Sequence, residues 1–148
     1  MNDLVVLDAN VIAKLIVDEP NSELAARLFE REDLVFCTPS HALAELLEVV
    51  CRKVREGRAS EQQLRQALLW LPGSFISVPI EALLELAADI APAHAISIYD
   101  ALYVALASER ESRLVTDDRK LVARLSGTGL APHVIALDEA DRVLGQSS

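Results

Sequence analysis

Short apolar runs alternate along this chain with longer stretches in which apolar residues recur at helical spacing. A run of four apolar residues such as 4–7 is typical of a strand buried on both faces of a parallel sheet. Five strands are predicted on this basis, at residues 4–7, 34–37, 75–78, 113–116 and 134–137. The stretches between these strands have apolar residues at helical spacing, so they are predicted to be helices that connect one strand to the next.

Helices are predicted wherever the apolar spacing is three or four residues and polar capping residues or prolines mark the ends. Thr38 and Pro39 form a good helix start, because a hydroxyl caps free amides and proline is tolerated at the first helical position. Gly57, Pro72 and Pro92 mark helix ends. The predicted helices cover residues 9–17, 22–30, 38–56, 60–71, 80–90, 97–109 and 119–125, with a short one from 138.

Strands separated by helices imply right-handed crossovers and a sheet covered on both faces. We therefore expect an α/β fold of three layers, α/β/α, with a central, mostly parallel sheet of about four to five strands. A chain of 148 residues that is 51% hydrophobic is long enough to form one compact core. A single domain over residues 1–148 is the expectation.

Four acidic residues stand where these elements begin or end: Asp8, Glu45, Asp100 and Asp118. Asp8 and Asp118 follow predicted strands, and Glu45 and Asp100 lie near the starts of helices entered from the same side. Ligands of open α/β sheets bind at the carboxyl ends of the strands. The four carboxylates are therefore expected to converge at that edge.

Each acid also has a structural explanation. Asp8 and Asp118 can cap the helices that follow them, because a carboxylate accepts hydrogen bonds from free amides and favours the positive helix end. Ser97 and Asp100 have the spacing of a capping box. Glu45 lies inside a helix among apolar residues, where solvent exposure is the structural alternative.

Convergence would carry an electrostatic cost. Two carboxylates about 5 Å apart repel by roughly 3 kcal/mol at an effective dielectric constant of about 20. Protonation or a divalent cation must relieve such a cluster, and carboxylate oxygens are ligands that suit Mg²⁺ or Mn²⁺.

The net charge of −9 argues against a partner with a phosphate backbone, although bound divalent ions would invert the local field. Basic residues cluster at 52–58 and at Arg119, Lys120 and Arg124, where solvated helix faces are expected and contacts to a phosphate backbone are the alternative. Lys14 and His41 are likewise expected to be solvent-exposed. With no long apolar stretch or basic leader, we expect a cytoplasmic protein without membrane contact.

Three motifs, LDAN, SHALAELLEVV and SIYDALYVALASERESRLVTDDRKL, together resemble the PIN domain family, in particular its VapC-type toxin ribonucleases. The resemblance covers nearly the whole chain. It implies that Asp8, Glu45, Asp100 and Asp118 are the catalytic, metal-binding acids. Further site residues implied are Thr116, which would orient an acid or water, Asn10 close behind the first acid, and Asp117, which could assist or replace Asp118. Ala9 departs from the hydroxyl residue that the family often has there.

The same resemblance implies the activity and the partners. It suggests an endoribonuclease that requires Mg²⁺, with Mn²⁺ as a substitute, and that hydrolyses RNA phosphodiester bonds as the toxin of a type II toxin–antitoxin pair. A cognate antitoxin and a homodimer are implied as well. The alternatives are a PIN-domain nuclease of RNA processing or decay without an antitoxin, and a non-catalytic α/β interaction module.

Overall fold

The computed structural model describes residues 3–145, which form a five-stranded parallel sheet flanked by helices. The strands are β1 (Asp3–Leu7), β2 (Leu34–Pro39), β3 (Ile76–Val78), β4 (Arg113–Thr116) and β5 (Val134–Ala136). Their order across the sheet is β3-β2-β1-β4-β5, and each neighbouring pair is parallel. The predicted α/β fold class is confirmed.

Helices connect the strands and cover both faces of the sheet. They are α1 (Ala9–Ala13), α2 (Ser22–Phe29), α3 (Ala42–Arg55), α4 (Glu61–Ser74), α5 (Leu84–His94), α6 (Ile98–Glu109), α7 (Arg119–Leu125) and α8 (Ala140–Val143). Short 3₁₀ turns lie at Ile80–Ala82, Ala131–His133 and Leu137–Glu139. Gly57, at φ 73°, follows the end of α3, as expected of a glycine that supplies the left-handed conformation there.

The predicted helix start at Thr38 and Pro39 is wrong. Both residues belong to β2, where they pair with Ser77 and Val78 of β3. The pairing of β2 with β1 ends at Cys37, so Pro39 needs no amide on that side. The Thr38 hydroxyl instead donates to the carbonyl of Leu7 at 3.1 Å, and α3 begins only at Ala42.

The two prolines predicted to end helices lie inside them. Pro72 precedes the last residue of α4 by two positions, and Pro92 precedes the last residue of α5 by the same number. Each proline lacks one amide donor, and because only two helical residues follow it, little of the helix depends on the distorted turn. The sequence prediction also made α1 too long, since the helix ends at Ala13.

The core lies on both sides of the sheet. Val5 and Leu7 of β1 pack with Ile12 and Leu46 on one face, whereas Val6 packs on the other face with the helix α6. Residues 101–107 of α6 are all buried, so this helix is apolar on every side. Alternate residues of β1 thus face two separate cores, which is the arrangement of a three-layer α/β/α fold.

Among residues 3–145, no single helix is long and apolar enough to cross a membrane. The helices α5 and α6 satisfy that criterion of length and composition only as a pair, bent by 117°.

The burial of α6 generates a stability prediction. Leu106 is 0% exposed, so Leu106→Ala leaves a cavity and should lower the free energy of unfolding by about 3 kcal/mol. Leu69→Ala is the matched control, because Leu69 is 85% exposed and its truncation should change stability by less than about 0.5 kcal/mol. Urea unfolding followed by circular dichroism compares them, and equal losses would contradict a core centred on α6.

Candidate active site at the carboxyl edge of the sheet

Asp8 follows the carboxyl end of β1 and is 6% exposed. Its Oδ1 accepts a hydrogen bond from the Val11 amide at 3.0 Å, which makes it the N-cap of α1. Its Oδ2 accepts a hydrogen bond from the hydroxyl of Thr116 at the end of β4. The carboxylate therefore caps a helix and is also fixed across two neighbouring strands.

Asn10 supplies a further donor to this carboxylate. With its amide nitrogen turned toward Asp8, it donates to Oδ1 at 2.6 Å, and the nitrogen lies 3.3 Å from Oδ2. The opposite orientation would set the amide oxygen against the carboxylate, which electrostatics disfavours.

Thr116 joins Asp8 to Asp118. Its hydroxyl oxygen accepts a hydrogen bond from the Asp118 amide at 3.0 Å while its hydrogen is donated to Asp8. Asp118 is the N-cap of α7, where its Oδ1 accepts from the amides of Lys120 and Leu121 at 3.0 and 3.2 Å. A fully buried threonine thus holds two of the predicted acids in a fixed relation.

Asp100 lies in the first turn of α6. Its backbone amide donates to the Ser97 hydroxyl at 3.0 Å, so Ser97 caps the helix. Burial raises the pKa of Asp100 above its ordinary value, and the charges of Asp118 and Glu45 raise it further. The Asp100 carboxylate is therefore in electrostatic contact with two of the other acids.

Two side chains hold Glu45: His41, whose spacing of four residues places it on the same helix face, and Tyr103, which the sequence did not single out. The hydroxyl of Tyr103 donates to Glu45 Oε1 at 3.2 Å, and His41 Nε2 lies 2.9 Å from the same oxygen. The side chain of His41 is only 10% exposed, so the expectation of an exposed histidine is wrong. Tyr103 is buried within α6, and apolar spacing alone gives no signal that its hydroxyl meets an acid.

The four acids are linked electrostatically in pairs: Asp8 with Asp100 and Asp118, and Asp100 with Asp118 and Glu45. Burial raises the pKa of Asp8 to about 7 against the hydrogen bonds from Thr116 and Val11, and the charges of Asp100 and Asp118 add to the rise. Within the described range 3–145, however, no group of three or more His, Cys, Asp or Glu side chains is arranged to surround a metal ion. The acids are close enough to repel one another but do not form a closed ligand shell.

Asp117 points to a different set of partners. Its Oδ2 lies 3.2 Å from Lys14 Nζ, and its Oδ1 accepts from the Asn21 amide nitrogen at 3.3 Å. Lys14 also pairs with Glu19 at 3.0 Å, and Glu19 pairs with Lys53 at 2.8 Å. Of the two adjacent acids, Asp118 is the one coupled to Asp8 and Asp100.

Lys14 and Lys53 are 8% and 7% exposed, so the expectation that both are solvated is wrong. The sequence carried a signal for Lys53, because it lies on the same face of α3 as the buried residues Leu46 and Val50. Its buried acidic partner could not be read from helical spacing, since Glu19 lies in the connection between α1 and α2.

Comparison with known proteins agrees with this fold. The family model of the PIN domain matches residues 5–126. The chain is 31% identical to Ribonuclease VapC3 of Pyrobaculum aerophilum over 122 residues, 80% of this chain and 92% of that protein. The chain therefore belongs to the PIN domain family, and the resemblance drawn from its motifs is confirmed.

Solved structures with low sequence identity share the fold. The crystal structure of PAE2754 from Pyrobaculum aerophilum superposes with a TM-score of 0.63 at 18% identity, covering 97% of this chain and 91% of that one. A toxin–antitoxin complex from Klebsiella pneumoniae gives a TM-score of 0.59 at 18% identity, covering 90% of this chain and 97% of that one.

The raised pKa of Asp8 predicts how the stability of the protein depends on pH. The folded pKa of about 7 exceeds the ordinary value of 3.8, so the native state binds a proton that the unfolded chain releases between those values. The ionised side chain therefore costs stability above pH 7, and this cost declines as the pH falls toward 4. In metal-free buffer, we expect Asp8→Asn to exceed the wild type in unfolding free energy at pH 8 by on the order of 3 kcal/mol.

Urea unfolding in EDTA at pH 8 and pH 5 measures this difference. Groups that do not interact with Asp8 titrate alike in the two proteins, and the cost of ionising Asp8 falls with pH, so the advantage of Asp8→Asn should shrink at pH 5. An advantage that is absent, or equal at both pH values, would show that Asp8 is not a destabilised buried carboxylate.

Proposed function

We propose that this protein is a metal-dependent endoribonuclease that acts as the toxin of a type II toxin–antitoxin pair. The observation that carries the proposal is the electrostatic linkage of Asp8, Glu45, Asp100 and Asp118 in a chain of the PIN domain family. Its similarity to Ribonuclease VapC3 supports ribonuclease activity. The functional unit proposed is one PIN-like domain over residues 1–148, acting in the cytoplasm.

The donor chemistry of the four acids fits a hard divalent cation, Mg²⁺ with Mn²⁺ as a substitute. Carboxylate oxygens are the ligands such ions prefer. Burial raises the pKa of Asp8 and of Asp100, the neighbouring acids raise both pKa values further, and a bound dication would offset that repulsion. The ligands proposed are Asp8, Glu45, Asp100 and Asp118. When bound, the cation supplies a water of lowered pKa for attack on a phosphodiester bond.

The chain's own residues hold these carboxylates ready. Thr116 and Asn10 fix the orientation of Asp8, and Tyr103 fixes Glu45 through its hydroxyl. Preorganisation of this kind avoids the cost of orienting charged groups during the reaction. Asp118, rather than Asp117, serves as the fourth acid, because Asp117 is engaged by Lys14 and Asn21.

A cleft beside the acids carries basic side chains that can contact the RNA backbone. It has a volume of about 180 Å³, and its walls include Asp100, Asp118, Lys120 and Arg124. Lys120 and Arg124 are four residues apart on α7, so they share one face, and neither pairs with a carboxylate within residues 3–145. Arg119 bonds to Asp138 and is the weaker candidate.

An antitoxin protein and a second copy of the chain are the proposed partners. The support for the antitoxin is the fold shared with the toxin–antitoxin complex from Klebsiella pneumoniae. Exposed apolar side chains on α4, among them Leu68, Leu69 and Trp70, provide surface for such contacts.

The nuclease activity is tested with the acids themselves. Asp8→Asn and Asp100→Asn should each lower the rate of Mg²⁺-dependent RNA cleavage by about two orders of magnitude or more, because each removes a charged ligand. Asp89→Asn is the matched control, since Asp89 is exposed on α5 and should leave the rate unchanged. Cleavage of a labelled RNA is followed on denaturing gels, with EDTA as the metal-free sample.

Equal rates in Asp8→Asn, Asp100→Asn and the wild type would remove these acids from the site. Absence of cleavage by the wild type with either Mg²⁺ or Mn²⁺ would favour the non-catalytic interaction module. Cleavage without growth inhibition on expression would favour a role in RNA processing or decay.

The role of the cleft beside Lys120 and Arg124 is tested by measuring RNA binding rather than RNA cleavage. Lys120→Ala and Arg124→Ala, each in an Asp8→Asn background, should weaken binding of single-stranded RNA and reduce the slope of log affinity against log salt by about 0.7. Arg119→Ala removes the same charge from an adjacent position and should have the smaller effect. Fluorescence anisotropy at several KCl concentrations measures both quantities, and equal losses in all three variants would assign the effect to net charge alone.

A further inference from the structure

The partly buried ion pairs that surround Lys14 form a chain of alternating charge. Lys14 Nζ lies 3.0 Å from Glu19 Oε1 and 3.2 Å from Asp117 Oδ2, while Lys53 Nζ lies 2.8 Å from Glu19 Oε2. Two cations and two anions alternate in the order Lys53, Glu19, Lys14, Asp117, so the group is neutral as a whole. We name these four residues the lysine–acid chain.

The lysine–acid chain joins parts of the fold that are distant in sequence. Lys14 follows α1, Glu19 lies between α1 and α2, Lys53 is near the end of α3, and Asp117 lies between β4 and α7. Lys14 is the only member that contacts Asp117. Buried ion pairs often add little net stability, but removing one partner is costly because the other charge is left uncompensated.

The segment that Lys14 contacts carries two proposed site residues. Thr116 bonds to Asp8, and Asp118 caps α7 and couples electrostatically to Asp8 and Asp100. Asp117 stands between them with its side chain bonded to Lys14 and Asn21. The side chains of Thr116, Asp117 and Asp118 are thus each fixed by different neighbours. Lys14 is the charged neighbour of Asp117.

We propose that Lys14 is a positioning residue, which holds Asp117 so that Thr116 and Asp118 keep their places in the acid site. The inference rests on the proposed function, because it assigns Lys14 a role in the binding of the divalent cation. Lys14 acts through Asp117 and does not itself contact Asp8 or Asp118 in the hydrogen bonds and ion pairs of residues 3–145.

Charge and position predict opposite effects of removing Lys14. Lys14→Met makes the protein more negative near the acids, so a purely electrostatic role predicts tighter binding of a divalent cation. A positioning role predicts weaker binding, because residues that orient metal ligands typically contribute 10- to 100-fold in affinity, and we take about tenfold here. The sign of the change therefore separates the two roles.

Lys53→Met is the matched control. It removes the same charge from the same acidic partner, Glu19, but Lys53 does not contact Asp117. In each variant, Glu19 keeps one lysine. Circular dichroism confirms that both variants are folded at the temperature of the binding measurement.

The test measures Mn²⁺ affinity of the metal-free protein by titration calorimetry. We expect Lys14→Met to bind Mn²⁺ about tenfold more weakly than the wild type and Lys53→Met to bind it equally or more tightly. The double variant Lys14→Met/Asp117→Ala should bind Mn²⁺ no more weakly than the weaker-binding of the two single variants, Lys14→Met and Asp117→Ala. Both changes break the same contact, between Lys14 and Asp117. Equal affinities of Lys14→Met and Lys53→Met would overturn the inference, as would losses that multiply in the double variant.

A crystal structure of metal-free Lys14→Met keeps the outcome independent of the proposed activity. Displacement of Asp117 and Asp118 from their wild-type positions is expected, and unchanged positions of both would overturn the positioning role. A wild-type protein that binds no Mn²⁺ would count against the metal chemistry of the proposed function, and the crystal structure would then decide the role of Lys14 alone.

Discussion

Asp8 is a carboxylic acid that the fold buries beside other carboxylates. Its position at the end of the central strand β1 leaves it 6% exposed, and Asp100 and Asp118 raise its pKa further. A protein of this size is stable by only about 5 to 15 kcal/mol, so such a group must be balanced by hydrogen bonds or by a bound cation. Much of the surrounding structure offsets the cost of burying this carboxylate.

Two of the hydrogen-bonding groups around the acids are hydroxyls of buried side chains. Thr116 donates to Asp8 and accepts from Asp118, while Tyr103 donates to Glu45 from the buried segment 101–107 of α6. Lys14, Glu19 and Lys53 form ion pairs next to this site, and Lys14 joins them to it through Asp117. The acid site is thus connected to α1 and α3 through polar contacts as well as through the apolar core.

Local signals predicted elements and failed at certain boundaries for a physical reason. The strand at 113–116 and the helix at 119–125 were predicted with the bounds they have, because an apolar run and a capping acid act within a few residues. Thr38 and Pro39 look like a helix start but form the end of β2, because pairing with β3 outweighs a local preference. Lys53 looked like part of a solvated cluster, yet it is buried against an acid 34 residues away in sequence.

The sequence by itself determined the α/β alternation, the four acids, and the PIN domain resemblance, because strand and helix periodicity and short motifs are local properties. Only the tertiary structure decided which neighbour each acid meets. Asp117 and Asp118 are chemically identical and adjacent, but one is bonded to Lys14 and the other couples to Asp8 and Asp100. That choice depends on contacts between segments about 100 residues apart, which periodicity along the chain cannot encode.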